Sequence, residues 1–212
     1  ALEKADPDLI VVAGTNKDEM NYWFVNSEHF YDTSFEIRRT LKRSEANLRS
    51  WNKFRSAIWR YKGAEEPLRR MSKSNNNLYS YRLDWDEEDD GIFGDYSLFV
   101  GAAHGIDIPF ISNSFDMEQI PWYIRNILFP ESSAEGRDAL SSLMMRYWGN
   151  IAKYGDPNVF VSQKWEKFTA NDNQMIILDN PKDPNFGMVT NPVVPKTLLK
   201  DIESDSALEI EE

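Results

Sequence analysis

A short, uninterrupted apolar run near the start of the chain most constrains how it can fold. Residues 9–13 are all apolar, are rich in β-branched side chains and are followed by Gly14. Such a run is typical of a strand that is buried on both faces, as in a parallel sheet. The polar residues 15–19 are then expected to form the loop at the carboxyl end of that strand, where open α/β sheets place their sites.

The segment from 33 to 62 has the composition of helices. One helical face would carry Leu48, Trp51, Arg55, Ile58 and Trp59. We predict two helices with a break near Ser44 and with Gly63 and Pro67 as stop signals. Residues 33–76 as a whole are predicted to be a helical insertion.

Four further elements are expected in the middle of the chain. The polar run 72–77 is predicted to be a loop, and the alternation over 78–83 predicts a second strand. Residues 84–94 form an acidic loop, and a stripe of apolar residues predicts a long helix over 137–154. Gly155 ends that helix, which is expected to pack on the sheet as a unit of residues 137–155.

The last part of the chain offers weaker signals. Residues 175–179 predict a short strand, whereas 180–195 hold four prolines and are expected to be irregular. Residues 196–212 are predicted to be an acidic tail. The order of strand, helices, strand, helix and strand indicates an α/β fold over residues 1–212, but two or three strands make a poor sheet. We therefore expect a mostly parallel sheet that is incomplete without residues upstream.

Composition excludes several classes of function. The formal net charge is −11, which disfavours nucleic acids and anionic membranes as partners because the summed field repels polyanions. The chain has no cysteine, so it has no disulfide, thiolate metal site or cysteine nucleophile. No stretch approaches the ~18 consecutive apolar residues that a membrane span needs.

Only two histidines can serve as a general base near neutral pH. His29 lies among aromatic residues and is interpreted as a packing or surface residue. His104 stands among small residues after the second predicted strand, which leaves its ring room. Glu19 precedes it by 85 residues, in the Asp/Glu then His order of an α/β-hydrolase triad, in which the acid and the histidine lie on separate loops at one sheet edge.

Two segments carry a family resemblance. Residues 13–19 (Ala-Gly-Thr-Asn-Lys-Asp-Glu) resemble the G-x-N-x-D-E segment of type-B carboxylesterases and cholinesterases, and residues 101–110 resemble their H-G-x-E/D-I/L-P-F block. The resemblance implies that the chain is the C-terminal part of an α/β-hydrolase. It also implies that Glu19 is the triad acid and that His104 is the triad base. Nothing in the sequence indicates a cofactor or a metal.

The resemblance extends over residues 8–179. Residues 145–158 and 164–169 are similar to the family's C-terminal pattern, and residues 81–87 resemble a bacterial branch. Met20 stands where the family usually has glycine, and residues 111–115 depart from its usual continuation. These departures bear on substrate preference more than on the chemistry.

The chain contains no G-x-S-x-G motif and no glycine-rich oxyanion segment of the H-G-G-G kind. In this family both lie N-terminal to the matched part. We therefore expect a truncated chain whose serine and oxyanion hole lie in an N-terminal portion of the same protein. Such a chain would need that portion as a partner to hydrolyse a small-molecule ester, and would be inactive alone.

Three other features have a simpler interpretation beside a functional one. Asp107 matches a family carboxylate, but is expected to hold a water or backbone donors. The spacing of Asp86, Glu88 and Asp90 approximates an EF-hand opening, but its twelfth position is Ser97, so a solvated loop is the better interpretation. Seven aromatic residues could line a pocket near Glu19, although most are expected in the core. These are Trp23, Phe24, Phe30, Tyr31, Trp51, Phe54 and Trp59.

Two alternatives to an esterase stay open. One is a non-catalytic, adhesion-type relative of the neuroligin kind that uses the same fold as a binding surface; the presence of both Glu19 and His104 favours the enzyme. The other is a stand-alone interaction domain whose exposed sheet edge, beside residues 9–13, is covered by a second copy or by another partner.

Overall fold

A computed structural model describes residues 2–32, 40–90, 95–118, 120–190 and 192–208. Its main sheet has the strands β1 (Val11–Asn16), β4 (Leu78–Leu83), β5 (Gln174–Leu178) and β6 (Gly187–Thr190). They lie side by side in that order, with β1, β4 and β5 parallel and β6 antiparallel to β5. Between β1 and β4 in sequence, β2 (Tyr31–Asp32) and β3 (Thr40–Leu41) form a separate antiparallel pair.

Eight α-helices are found in the described part of the chain. They are α1 (Asn21–Phe24), α2 (Glu45–Arg60), α3 (Glu66–Met71), α4 (Tyr96–Phe99), α5 (Asp107–Ser112), α6 (Trp122–Leu128), α7 (Ala134–Tyr154) and α8 (Pro195–Ser204). Short 3₁₀ turns occur at Leu2–Lys4 and Glu131–Ser133, and a π-helical turn at Tyr61–Glu65 joins α2 to α3.

Apolar residues cover both faces of the sheet. On one face, α5 and α7 pack over a core that includes Trp85, Phe110, Tyr147 and Trp165, all of them fully buried. The side chains of Ile10 and Val12 face this cluster, whereas those of Val11 and Ala13 pack with Leu68 on the other face. The predicted α/β architecture, a mostly parallel sheet with packed helices, is confirmed.

The predicted strands and the long helix are found within a few residues of their predicted bounds. Ser44, where we predict a break, caps the start of α2 by accepting a hydrogen bond from the backbone of Asn47. Gly155 ends α7 in the left-handed conformation (φ 73°), which glycine adopts without strain.

Several local predictions are wrong. Gly63 and Pro67 do not stop the helix, because the chain continues through the π-helical turn and Pro67 lies in the first turn of α3, where a missing N–H is tolerated. Residues 40–41 form a strand instead of a helix, and residues 33–39 lie outside the described residues. The segment 180–195 contains β6, whose four residues give too short a signal.

The chain end, predicted as an acidic tail, begins with helix α8. Residues 205–207, directly after α8, pack against α2, where Asn47 Nδ2 donates to Ala207 O (2.7 Å) and Ser50 Oγ donates to an Asp205 carboxylate oxygen (3.0 Å). Among the helices of the described ranges, none is both long enough and apolar enough to cross a bilayer.

Candidate active site

The structure brings Glu19 and His104 into direct contact. Glu19 lies in the turn after β1, and its Oε2 atom is 2.7 Å from Nδ1 of His104. The Glu19 side chain is 5% exposed, whereas the His104 side chain is 51% exposed. The other carboxylate oxygen of Glu19 accepts a hydrogen bond from the backbone N–H of Asn16 (2.8 Å). Both oxygens of the buried acid are therefore fixed, and the histidine reaches the surface.

This geometry orients the imidazole. An ionised carboxylate can only accept, so the contact places the ring proton of His104 on Nδ1. Nε2 is then the ring nitrogen that can take a proton from another group and return it. The arrangement can therefore exchange a proton at Nε2 while a buried acid holds the ring.

The loop that carries His104 turns sharply on both sides of it. Gly101 (φ 50°) and Gly105 (φ 87°) both lie in the left-handed region that favours glycine. Two buried asparagines also connect this loop to the acid turn, which is the turn after β1 that carries Glu19. Asn16 Nδ2 donates to Ala103 O (2.7 Å), and Asn21 Nδ2 lies within bonding distance of the carbonyls of Leu98 (3.3 Å) and Val100 (3.2 Å).

Asp107, the first residue of α5, faces two side-chain donors, and its expected contact with a water stays a prediction. Its Oδ2 accepts from the Tyr81 hydroxyl (2.9 Å), and its Oδ1 lies 3.4 Å from Asn16 Nδ2. Burial, with the adjacent Asp107 carboxylate, raises the pKa of Tyr81 above its usual range. Asp107 thus ties β1 and β4 to the helix that follows the His104 loop.

Two tryptophans flank the histidine ring. The ring centroid of Trp23 is 5.2 Å from that of His104, the centroid of Trp59 is 5.9 Å from it, and the two indoles are 5.5 Å apart. Both residues are exposed. The other aromatic candidates lie largely in the interior: Phe24, Phe30, Tyr31 and Trp51 pack around Leu48, and Phe54 is buried.

A comparison of sequence and structure with known proteins identifies the family. The sequence model of a protein family, described as the Carboxylesterase family, matches residues 6–193. The chain belongs to the carboxylesterase family.

Curated relatives of this carboxylesterase-family chain include neuroligins. It is 30% identical to human neuroligin-2 over 93 residues, covering 37% of the chain and 10% of the relative. It is 37% identical to neuroligin-3 of Macaca mulatta over 62 residues, covering 29% of the chain and 28% of the relative. The chain therefore spans less than a third of the length of these relatives.

Solved structures of esterases share the fold of the carboxylesterase-family chain. A PNB esterase superposes with a TM-score of 0.55 at 16% identity, covering 92% of this chain and 38% of the esterase. The carboxylesterase EST55 of Geobacillus stearothermophilus gives 0.54 at 17% identity, covering 85% and 36%. The prediction of a partial α/β-hydrolase fold is confirmed, whereas a bacterial origin stays a prediction.

The second histidine of the carboxylesterase-family chain lies in a different setting. His29 is exposed and packs edge-on against Phe30, with ring centroids 4.8 Å apart. Its Nδ1 atom is 3.4 Å from an Arg43 guanidinium nitrogen, and its carbonyl accepts from Arg43 Nε (3.3 Å). The charged neighbour of this ring is therefore a cation instead of a carboxylate.

The acidic residues after β4 are largely engaged in pairs. Asp84 forms a two-pronged ion pair with Arg82, Asp86 lies 2.7 Å from Lys17 Nζ, and Glu87 accepts from Asn180. Within the described ranges, no group of three or more acidic or histidine side chains could hold a metal ion. Gly91 of the EF-hand-like pattern lies outside those ranges.

Burial changes the acidity of two carboxyls near the carboxyl ends of β4 and β5. It raises the pKa of Glu88 to about 8 and that of Asp179, directly after β5, to about 7. Neighbouring carboxylates add to the effect, Asp86 among them.

Sequence reasoning missed the supporting residues of the site. Asn16, Asn21 and Tyr81 hold the histidine loop. Trp59, one of the aromatic candidates named from the sequence, contacts His104 from the last turn of α2. The available signal was the cluster of polar residues directly after β1, because side chains at the carboxyl end of a parallel strand are well placed to act at a site.

Proposed function

We propose that this chain supplies the acid, Glu19, and the base, His104, of a Ser-Glu-His triad that hydrolyses carboxylic esters. The serine and the oxyanion donors would come from a portion of the same protein outside these 212 residues. The observation that carries the proposal is the 2.7 Å contact between Glu19 Oε2 and His104 Nδ1, with Glu19 buried and its second oxygen bonded.

In the proposed mechanism, Nε2 of His104 takes the serine proton as the serine oxygen attacks the ester carbonyl. The same proton then goes to the leaving alkoxide, which departs as the alcohol and leaves an acyl-serine. Water, deprotonated by the same nitrogen, attacks the acyl carbon of the acyl-serine. The bond from that carbon to the serine oxygen then breaks, the nitrogen returns the proton to the serine oxygen, and the carboxylic acid is released. Glu19 holds the correct tautomer and stabilises the imidazolium that forms in each step.

The position of β1 supports a split triad. Within the described strands β1 is an edge strand, paired only with β4, although apolar residues pack on both of its faces. An open edge of this kind can accept a further strand. We infer that the N-terminal portion continues the sheet beside β1 and so brings its serine to the edge where Glu19 lies.

The tryptophans beside His104 indicate the substrate class. Trp23 and Trp59 present apolar indole surface, with ring centroids 5.2 and 5.9 Å from that of the imidazole. Apolar or aromatic groups of a ligand bind well to such surfaces because they leave water there. We propose small esters with an apolar acyl or alcohol group as substrates.

The test compares this chain with the whole protein that contains it. Both are assayed with p-nitrophenyl butyrate and treated with a fluorophosphonate that labels activated serines. We expect hydrolysis and a labelled serine only in the whole protein. Turnover by the 212-residue chain alone would contradict the split triad. A folded whole protein that neither hydrolyses the ester nor reacts with the label would contradict the esterase proposal.

The neuroligin matches favour one alternative, a non-catalytic binding protein with the same fold. A second alternative is self-association of the chain through the edge of β1. Sedimentation of the isolated chain distinguishes them, because self-association predicts a concentration-dependent dimer. A binding protein predicts an unlabelled whole protein in the assay above.

A further inference from the structure

We propose that Asp18, Asn52 and Ser56 form a positioning relay that locks the turn carrying Glu19 onto the loop carrying His104. None of the three touches the reacting atoms, so they are positioning residues and not catalytic ones. The inference rests on the proposed triad, because it assigns these residues a role in that same site.

The relay begins with a two-bond clamp between Asp18 and Ala102. The backbone N–H of Asp18 donates to Ala102 O (3.0 Å), and the N–H of Ala102 donates to Asp18 Oδ2 (3.3 Å). Asp18 directly precedes Glu19, and Ala102 lies two residues before His104. One residue therefore joins the two catalytic segments.

The remaining members run through α2 and return to the acid turn. Asn52 Nδ2 donates to Asp18 Oδ1 (2.6 Å), Ser56 Oγ donates to Asn52 Oδ1 (3.0 Å), and the N–H of Met20 donates to Ser56 Oγ (3.2 Å). This series of hydrogen bonds begins at Asp18, directly before Glu19, and ends at Met20, directly after it. Helix α2 thus supports both sides of the acid.

The contact at Asp18 is close and partly buried. A Cβ atom on Gly101 would lie 2.8 Å from Asp18 Oδ2, so the histidine loop can approach the carboxylate only with glycine there. Asn52 and Ser56 are buried polar residues on α2. Buried polar groups are costly unless their hydrogen bonds are made, so the relay is expected to keep a single arrangement.

Such a relay matters because proton transfer depends on alignment. A displacement of about 1 Å can cost about 100-fold in rate even when it originates away from the reacting atoms. We therefore expect the loss of the relay to lower kcat and to leave KM, which reports mainly the apolar surface, nearly unchanged.

The experiment exchanges the donor and the acceptor of the central pair. Asp18→Asn leaves two amide groups facing each other, and Asn52→Asp leaves two facing carboxylates. In the double variant, the amide introduced at position 18 would donate to the carboxylate introduced at position 52 and still accept from Ala102. That new carboxylate would still accept from Ser56. The double variant therefore keeps every hydrogen bond and the same net charge.

Two measurements follow the effect. In the isolated chain, ¹⁵N chemical shifts report which imidazole nitrogen carries the proton, with His29 as the internal reference. In the whole protein, kcat and KM are measured separately. We expect each single variant to mix the tautomers of His104 and to lower kcat about 10- to 100-fold. The double variant should restore both, and Ser56→Ala should have a smaller effect in the same direction.

The outcomes separate this inference from the proposed function. If folded single variants keep the His104 tautomer and kcat, or if the double variant restores neither, the relay is contradicted while the triad stands. If the unsubstituted whole protein is inactive, the triad proposal fails, and the tautomer shifts still decide the relay. If a single variant does not fold, Ser56→Ala, which deletes only one hydroxyl, supplies the test.

Discussion

The two histidines of the chain lie in surroundings that differ in one decisive respect. Both rings pack against aromatic side chains, and both have Nδ1 within 3.4 Å of a charged side chain. The neighbour of His104 is the carboxylate of Glu19, which accepts, whereas the neighbour of His29 is the guanidinium of Arg43, which can only donate. The Nδ1 atom therefore carries the ring proton in His104, and it accepts a hydrogen bond in His29.

This difference underlies our proposal that His104, and not His29, is the base, because the two residues differ in their charged partner and not in their type. The carboxylate can stabilise an imidazolium at His104, and the guanidinium repels one at His29. Glu19 is also buried and anchored by Asn16, whereas Arg43 is partly exposed. Only the first arrangement would be maintained while a proton is transferred.

The largest expected effect comes from replacing each of the two histidines and comparing the loss of kcat. In the whole protein, we expect His104→Ala to lower kcat for p-nitrophenyl butyrate by a factor on the order of 10⁴ or more, because the general base is lost. His29→Ala serves as the matched control and should change kcat by less than about twofold. Steady-state kinetics measures both. A comparable loss in the two variants would remove the distinction between the histidines.

The next effect concerns the carboxyls near the carboxyl ends of β4 and β5. Asp179 and Glu88 have pKa values raised to about 7 and about 8, while unfolded carboxyls titrate near about 4. The folded chain therefore binds more protons between about pH 4 and about pH 8, and its unfolding free energy should fall as pH rises through that window. The loss is on the order of a few kcal/mol.

Urea unfolding at about pH 5 and about pH 8 measures this loss. Asp179→Asn should make the dependence on pH shallower, because it removes one of the carboxyls whose pKa is raised in the folded chain. The exposed Asp90 is the matched control, and Asp90→Asn should leave the dependence unchanged. Stability that rises with pH over this window in the parent chain would contradict the assignment.

A smaller effect tests how β1 and β4 support the histidine loop. Gly14 lies opposite Tyr81, and a Cβ atom there would overlap the Tyr81 ring. We expect Gly14→Ala to lower the unfolding free energy by about 1–3 kcal/mol and to displace the Tyr81 hydroxyl from Asp107.

Gly149, in α7, is the matched control, because nothing lies within 4 Å of an added Cβ. Gly149→Ala should be neutral or stabilising by up to about 1 kcal/mol, since alanine favours helix. Urea unfolding and the ¹⁵N shifts of the two histidines measure the result. If Gly14→Ala were as well tolerated as Gly149→Ala, close contact between Tyr81 and β1 would not support the loop.

The elements that could be predicted from the sequence are those with strong local signals. The alternation of β4 and the apolar stripe of α7, which ends at Gly155, are local sequence signals that can be recognised without the rest of the chain. The continuation from α2 into α3 could not be predicted, because it is stabilised from a distance. Glu65 in the π-helical turn accepts from the backbone of Val193 (2.9 Å) and from Asn173 Nδ2 (3.2 Å), which are 128 and 108 residues away.

The same distinction applies to the site. The order of Glu19 and His104, with the family resemblance, indicated that the two could meet, since both follow parallel strands. The contribution of α2 could not be predicted, because Asn52 and Ser56 have the polar side chains of a solvent-facing helix surface. Only the fold shows that the turn carrying Glu19 packs against them. The position of Trp59 could not be predicted either, because its helical spacing is that of a core aromatic residue, although it lies at the surface beside His104.

The smallest expected effect isolates one hydrogen bond behind the histidine loop. Tyr81→Phe keeps the ring against Gly14 but removes the hydroxyl that donates to Asp107 (2.9 Å). We expect a loss of about 1–2 kcal/mol, because the carboxylate oxygen is left without this donor. Tyr123, which is half-exposed, is the control, and Tyr123→Phe should stay within about 0.5 kcal/mol of the parent. Urea unfolding measures the unfolding free energies of both variants, and the ¹⁵N shifts of His29 should not change. Equal stabilities for the two variants would mean that Asp107 is held by Asn16 alone, and that the His104 loop depends less on β4 than its contacts indicate.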